Sequence, residues 1–242
     1  VALHRTGSPA DAARLYQDAA GHLVAAGQPD DAAHARLLAV DALAHAGQLQ
    51  EALAEADALD RVLRGARHRL RRALLRGNRA SALRLAGRLE ESARESEAAS
   101  RSLEQLGQEG SAAAAELNAG VAWMYAGRLE KAGNRLRSAA RRLEALGQTD
   151  RVEDARYDLA CLDVRAGRMG PAVRTLDALA VDFEARGLAR RAALARMDLA
   201  DALLRIGDDD AAAREARRAA EAFEAEQAPG EAAEAWFLLA QA

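Results

Sequence analysis

Six glycines constrain this chain more than any other feature. Gly7, Gly47, Gly87, Gly127, Gly167 and Gly207 recur at a spacing of 40 residues. A fixed period of that length predicts a row of like units, each hiding its apolar face against the next, rather than one globule. Four of the six follow Ala (Ala46, Ala86, Ala126 and Ala166), and Gly207 follows Ile206. A second series, Gly27, Gly107, Gly147 and Gly187, sits half a period away. Its expected members at 67 and 227 are Arg67 and Gln227, with Gly65 and Gly230 nearby. Between the glycines the pattern is helical. Ala112, Ala115, Ala119, Ala122 and Ala126 step by three and four, as do Leu129, Ala132, Leu136, Ala139, Leu143 and Leu146. Each half-period predicts a helix of about 16 residues closed by a left-handed Gly. Asp30, Asp150 and Ser111 stand where N-caps are expected.

The repeating unit is therefore an antiparallel helix pair. Small residues recur five positions after the turn glycine: Ala12, Ala52, Ser92, Ala132, Ala172 and Ala212. Small or modest ones recur seven before it: Val40, Ala80, Gly120, Ala160, Ala200 and Ala240. At these points two helix axes can approach to the short end of the ~8–10 Å range. Composition agrees with an all-α chain. Aromatics are 3 % of the residues and Pro is present four times, so neither a bulky globular core nor a substantial sheet is expected.

These residues resemble the tetratricopeptide repeat (TPR) family, which places small residues at a helix crossing, an aromatic nearby and Gly in the turn. The closest match to that pattern is Asn118-Ala119-Gly120, Trp123, Gly127, Ala132, Leu136 and Ala139, and Trp236 falls at the leading aromatic position of the last unit. The resemblance covers essentially the whole chain and implies an all-α, right-handed α-solenoid. Two departures are the period, 40 against the family's usual 34, and the absence of the Pro that usually closes each unit. The expected units are 1–27 (partial), 28–67, 68–107, 108–147, 148–187, 188–227 and 228–242 (partial). Residues 1–6 read as the tail of a truncated first helix. In the last unit the turn glycine would fall beyond the chain. The segment is thus expected to be an interior piece of a longer polypeptide, able to self-associate through open ends that include Trp236, Phe237, Leu238 and Leu239.

The formal net charge of −3 excludes a globally basic nucleic-acid binder. No apolar run approaches the ~18 residues of a membrane span. One cysteine, Cys161, leaves no internal disulfide. The expected setting is the cytoplasm, and the dominance of Ala and of Arg over the single Lys131 suggests a bacterial source. No enzyme is expected. All five His lie between His4 and His68, far in sequence from Cys161, and no HExxH, GxSxG or phosphate-binding loop occurs. Asp208, Asp209 and Asp210 are read as favourable charges at a helix start. No cofactor and no metal site are expected.

What remains is binding. The resemblance implies that first helices line a groove, with Asn78, Ser81, Leu85, Asn118, Val121, Tyr125, Asp158, Cys161, Arg165, Asp198, Asp201 and Arg205 as candidates to meet a protein, a peptide or another domain of the same chain. The Lys-rich arrangement that TPR clamps use for a C-terminal carboxylate is absent. The style of the repeats is similar to arrays attached to CHAT protease domains and to LuxR-type regulators, which implies a sensing or regulatory arm. A rival reading rests on residues 61–88, which hold ten Arg and no acid. Arg69, Arg72, Arg76 and Arg79 form a basic patch there, suited to phosphate or nucleic acid. The alternative is pairing with acids of neighbouring helices, such as Asp57, Asp60, Glu90, Glu91 and Glu95. Arg36, Arg76, Arg156 and Arg196, all eleven before a turn glycine, form a ladder expected to cover a helix seam.

Overall fold

A computed structural model describes residues 8–242. Gly7 and the segment before it lie outside the described residues. All regular structure among the described residues is helical. Two compact units divide the chain after Gln148. The first holds α1 (Pro9–Ala25), α2 (Pro29–His45), α3 (Leu49–Val62), a short 3-10 turn (Ala66–His68), α4 (Arg69–Leu85), α5 (Leu89–Glu104), α6 (Glu109–Tyr125) and α7 (Leu129–Ala145). The second holds α8 (Thr149–Arg165), α9 (Met169–Ala185), α10 (Ala189–Leu204), α11 (Asp209–Ala225) and α12 (Pro229–Leu239). Even-numbered helices are the first helices of each pair.

The period of 40 has a simple origin in backbone geometry. After α2, Gly47 takes φ +77°, its N–H bonds Ala44 O at 3.1 Å and the N–H of Gln48 bonds Leu43 O at 3.0 Å. This is the Schellman pattern, which satisfies the orphan carbonyls of the helix end. The carbonyl of Gln48 already accepts from Ala52 N at 2.9 Å, so Gln48 also begins the next helix. A 17-residue helix plus the three joint residues (Ala46, Gly47, Gln48) makes 20, and two such halves make the repeat.

Both irregular positions of the second glycine series follow from this joint. Gln227 replaces the glycine without changing the geometry: it is the one non-glycine at positive φ (55°) among the described residues, and Ala228 N still bonds Phe223 O at 2.9 Å. Around Arg67 the joint changes form. Helix α3 stops after 14 residues, Gly65 turns at φ 136°, and the 3-10 turn restores the register so that α4 starts 40 residues after α2.

The expected caps need correction. Asp30, Asp150 and Ser111 lie inside the first turn of α2, α8 and α6, one or two residues past the first helical residue. Among the described caps only Asp208 uses its side chain, accepting from Ala211 N at 3.2 Å. The joint itself fixes each helix start, so acids in the first turn act through the helix dipole.

The small-residue positions meet as the pattern requires. Ala12, Ala52, Ser92, Ala132, Ala172 and Ala212 are buried, as are Val40, Ala80, Gly120, Ala160 and Ala200. Ala240 is exposed, because α12 ends at Leu239. The crossing is direct at Ser92, whose hydroxyl donates to Ala80 O at 2.7 Å. Larger residues fill the next layer: Leu63, Leu103, Leu143, Phe183 and Phe223, again 40 apart, are all buried.

Gly120 illustrates the tolerance. A Cβ there would lie 2.6 Å from Leu136 Cδ2 and 3.1 Å from Leu136 N. Leu136 is wholly buried and has nowhere to go. Gly120→Ala is expected to destabilise by about 1–3 kcal/mol despite the better helix propensity of Ala. Gly77, in the middle of α4, has nothing within 4 Å of an added Cβ, so Gly77→Ala should stabilise by about 0.5–1 kcal/mol. Urea unfolding of the two variants checks the opposite signs.

Candidate functional site

The second unit contains the better-formed surface. Tyr157 and Cys161 stand one turn apart on α8, because helical neighbours at i and i+4 share a face. Both turn toward Asp198 on α10. The Tyr157 hydroxyl donates to Asp198 Oδ2 in a short hydrogen bond, and Cys161 Sγ lies 3.5 Å from the same oxygen. Burial raises the Asp198 carboxyl above the ordinary carboxylate range, against the lowering effect of the two donors. Burial, then the Asp198 charge, pushes both the Cys161 thiol and the Tyr157 phenol up. A thiol held protonated is a donor to its carboxylate partner, and a nucleophile needs the opposite shift.

Beside this cluster, α10 and α12 enclose a pocket of about 470 Å³. Met197, Ala233, Phe237 and Leu238 supply its apolar lining, and Asp198, Asp201 and Glu234 its carboxylates. Phe237 is 67 % exposed, which is unusual for so large an apolar side chain. Asp201 is bridged by Arg205 at 3.0 Å, whereas Glu234 has no ion-pair partner among the described residues. Trp236 turns away, donating its indole N–H to Glu224 at 2.8 Å. Of the groove candidates here, Cys161, Asp198, Asp201 and Arg205 belong to this connected surface, while Asp158 and Arg165 sit on α8, half-buried and exposed respectively.

In the first unit the candidates are more scattered. Asn78 donates its amide to Leu37 O at 2.8 Å, tying α4 to α2. Ser81 and Val121 are half-buried, and Leu85, Asn118 and Tyr125 are exposed. No described pocket gathers them. The family-like aromatic Trp123 is buried and donates to Glu97 at 3.0 Å, with the ammonium of Lys131 4.5 Å from its ring centre.

The Arg ladder is a structural device with a partner that the sequence reading missed. Arg36 binds Glu55 at 2.5 Å, Arg76 lies 3.9 Å from Glu95 and Arg196 binds Glu215, in each case 19 residues on. The pair is inverted once, as Glu116 and Arg135 at 3.7 Å. At the equivalent place of Arg156 stands Thr175. The constant separation of 19 was the available signal. Arg196 also binds Glu184 at 2.6 Å and is only 3 % exposed.

Among the described residues no group of His, Cys, Asp and Glu is arranged to hold a metal ion, and no helix is long and apolar enough to cross a membrane.

Arg196→Ala removes the buried guanidinium that links Glu184 to Glu215 and should cost about 1–3 kcal/mol in urea unfolding. Arg14→Ala, which loses only an exposed pair with Asp11, should stay within about 0.5 kcal/mol. The Arg196 hydrogen bond holds Glu184 below the usual carboxylate range. A lowered native pKa stabilises above the unfolded value and is lost as pH falls through the native one. The stability gap between wild type and Arg196→Ala should therefore narrow below about pH 4.

No protein-family model matches the sequence, and no curated protein sequence matches it. Solved structures do share its fold. A signal-transduction ATPase with numerous domains (STAND) and a tetratricopeptide repeat sensor, from Pyrococcus horikoshii, aligns at TM-score 0.72 and 13 % identity, over 93 % of this chain and 34 % of that one. BtubC from P. vanneervenii aligns at TM-score 0.70 and 17 % identity, over 94 % and 93 %. NprR in complex with its cognate peptide NprX aligns at TM-score 0.64 and 12 % identity, over 94 % and 75 %. The chain thus spans about a third of the STAND protein and most of BtubC. With its 40-residue helix pairs and these structural likenesses, the chain has a TPR-like repeat fold.

Proposed function

We propose that this chain is a non-catalytic protein-interaction module whose second unit holds a peptide on its first-helix face. The pocket between α10 and α12 carries the reading. It joins an apolar floor of Met197, Phe237 and Leu238 to the carboxylates of Asp201 and Glu234. An extended or helical peptide fits this chemistry if it seats one apolar side chain and sets a Lys or Arg beside the rim. The Tyr157–Cys161–Asp198 cluster fixes the wall next to the pocket, since its donors hold the carboxylate in place. NprR, which shares the fold, was solved with a bound peptide, and the STAND protein uses its repeats as a sensor. Both support a role as the sensing or regulatory arm of a larger protein.

The test is peptide selection from a displayed random library on the full chain. Selected peptides should combine a basic and an apolar residue. Phe237→Ala and Glu234→Lys should each weaken binding about tenfold or more, with unchanged thermal unfolding, because both side chains are exposed. Selected peptides that bind equally well to both variants would show that the pocket is not the site.

A further inference from the structure

We propose that the start of α4 and the end of α5 form a pocket for a single phosphate group, separate from the peptide face. Residues 61–88 carry ten Arg. The fold accounts for several of them. Arg71 meets Asp30 at 3.3 Å, Arg72 meets Asp60 at 2.9 Å, Arg79 meets Glu95 at 3.0 Å and Asp57 at 3.2 Å, and Arg88 meets Glu91 at 2.7 Å. Arg61, Arg64, Arg69 and Arg84 have no ion-pair partner among the described residues. The unpaired charge is therefore concentrated near the α3–α4 joint.

Repeat register shows that this charge is foreign to the unit. The positions equivalent to Arg72 are Ala32, Ala112, Val152, Ala192 and Ala232, all buried. The positions equivalent to Arg64 are Val24, Glu104, Glu144, Glu184 and Glu224. Arg72 thus stands where the other units carry a core residue, and Arg64 where the four later units carry an acid. A guanidinium at a core register costs packing that Asp60 repays only in part.

These side chains converge. A pocket of about 150 Å³ is lined by Arg69, Arg72, Arg76, Ser102 and Gln105, and no acidic side chain lines it. Arg72 uses Nε and Nη2 on Asp60, which leaves Nη1. Arg76 is engaged loosely, with Glu95 3.9 Å from its Nε, and Arg69 is unengaged. At the α5 terminus the carbonyls of Arg101, Leu103 and Glu104 are occupied by the N–H groups of residues 105–108. On the far side of Arg76 a second hollow holds Arg61, Arg64 and Arg79, but with Asp57, Asp60 and Glu95 among them. The first pocket is the anion site and the second adds to its field.

Three forked donors around a small, acid-free volume suit the oxygens of one phosphate monoester. A nucleic-acid backbone needs an extended track and stacking surfaces, and no aromatic side chain lines either hollow. The free anion and a phosphorylated side chain offer the same chemistry, and the experiment separates them.

Calorimetry and thermal unfolding of the full chain would use inorganic phosphate, a phosphoserine hexapeptide and a single-stranded oligonucleotide without terminal phosphate, all at constant ionic strength. Phosphate should bind saturably and raise the melting temperature. Arg69→Ala should weaken it about tenfold or more while leaving the unliganded melting temperature unchanged, since Arg69 makes no ion pair. Arg84→Ala, unpaired but outside the pocket, should bind as wild type does. Tighter binding of the phosphopeptide assigns the site to a phosphorylated side chain, and equal binding assigns it to the free anion. Absence of saturable binding, equal binding by Arg69→Ala, or preference for the oligonucleotide would overturn the proposal. None of these outcomes bears on the pocket of the second unit, so the two readings fail separately.

Discussion

A helix can hand the chain straight to its antiparallel neighbour only if its last carbonyls are satisfied within a residue or two. The left-handed residue at each joint makes that possible. It lets the next N–H fold back onto the carbonyl five residues earlier, as Gln48 does onto Leu43. The same residue then opens the following helix. Helix length, the position of the crossing points and the register of every core layer follow from this three-residue link. Where the glycine is missing, the link survives at Gln227 and is rebuilt around Gly65.

Much of this was legible in the sequence because glycine at positive φ and small residues at a crossing are both strongly favoured and periodic. Ser92, Ala132 and Gly120 appear where two backbones must pass closely, and nothing larger fits. The caps were misread at Asp30, Asp150 and Ser111. Ordinary helix starts need a side chain to satisfy the first N–H groups, whereas here the joint sets the start by itself.

The binding surfaces were only partly legible, for a related reason. Periodicity reveals what every unit shares, and a site is made of what one unit does differently. Asn78 looked available, but its amide is consumed by Leu37 O, a contact between helices 41 residues apart. Asp198 and Asp201 lie on a first helix, and the pocket they line depends on Phe237 and Leu238 of another helix. Those two were noticed only as apolar residues near the end of the chain. The charge partners of the Arg ladder were visible as a constant offset, yet an offset between two residue types is harder to see than one recurring glycine.

The inverted pair, Glu116 with Arg135, has a consequence for assembly. A chain of near-identical hairpins can err by joining a helix to the wrong neighbour one repeat along, because the apolar layers match almost equally well. Arg76 brought against Arg135, or Glu116 against Glu95, would confront like charges at a seam where the correct match attracts. Reversing polarity in a single hairpin marks its place in the row, so the first unit carries an address that its greasy layers alone could not supply.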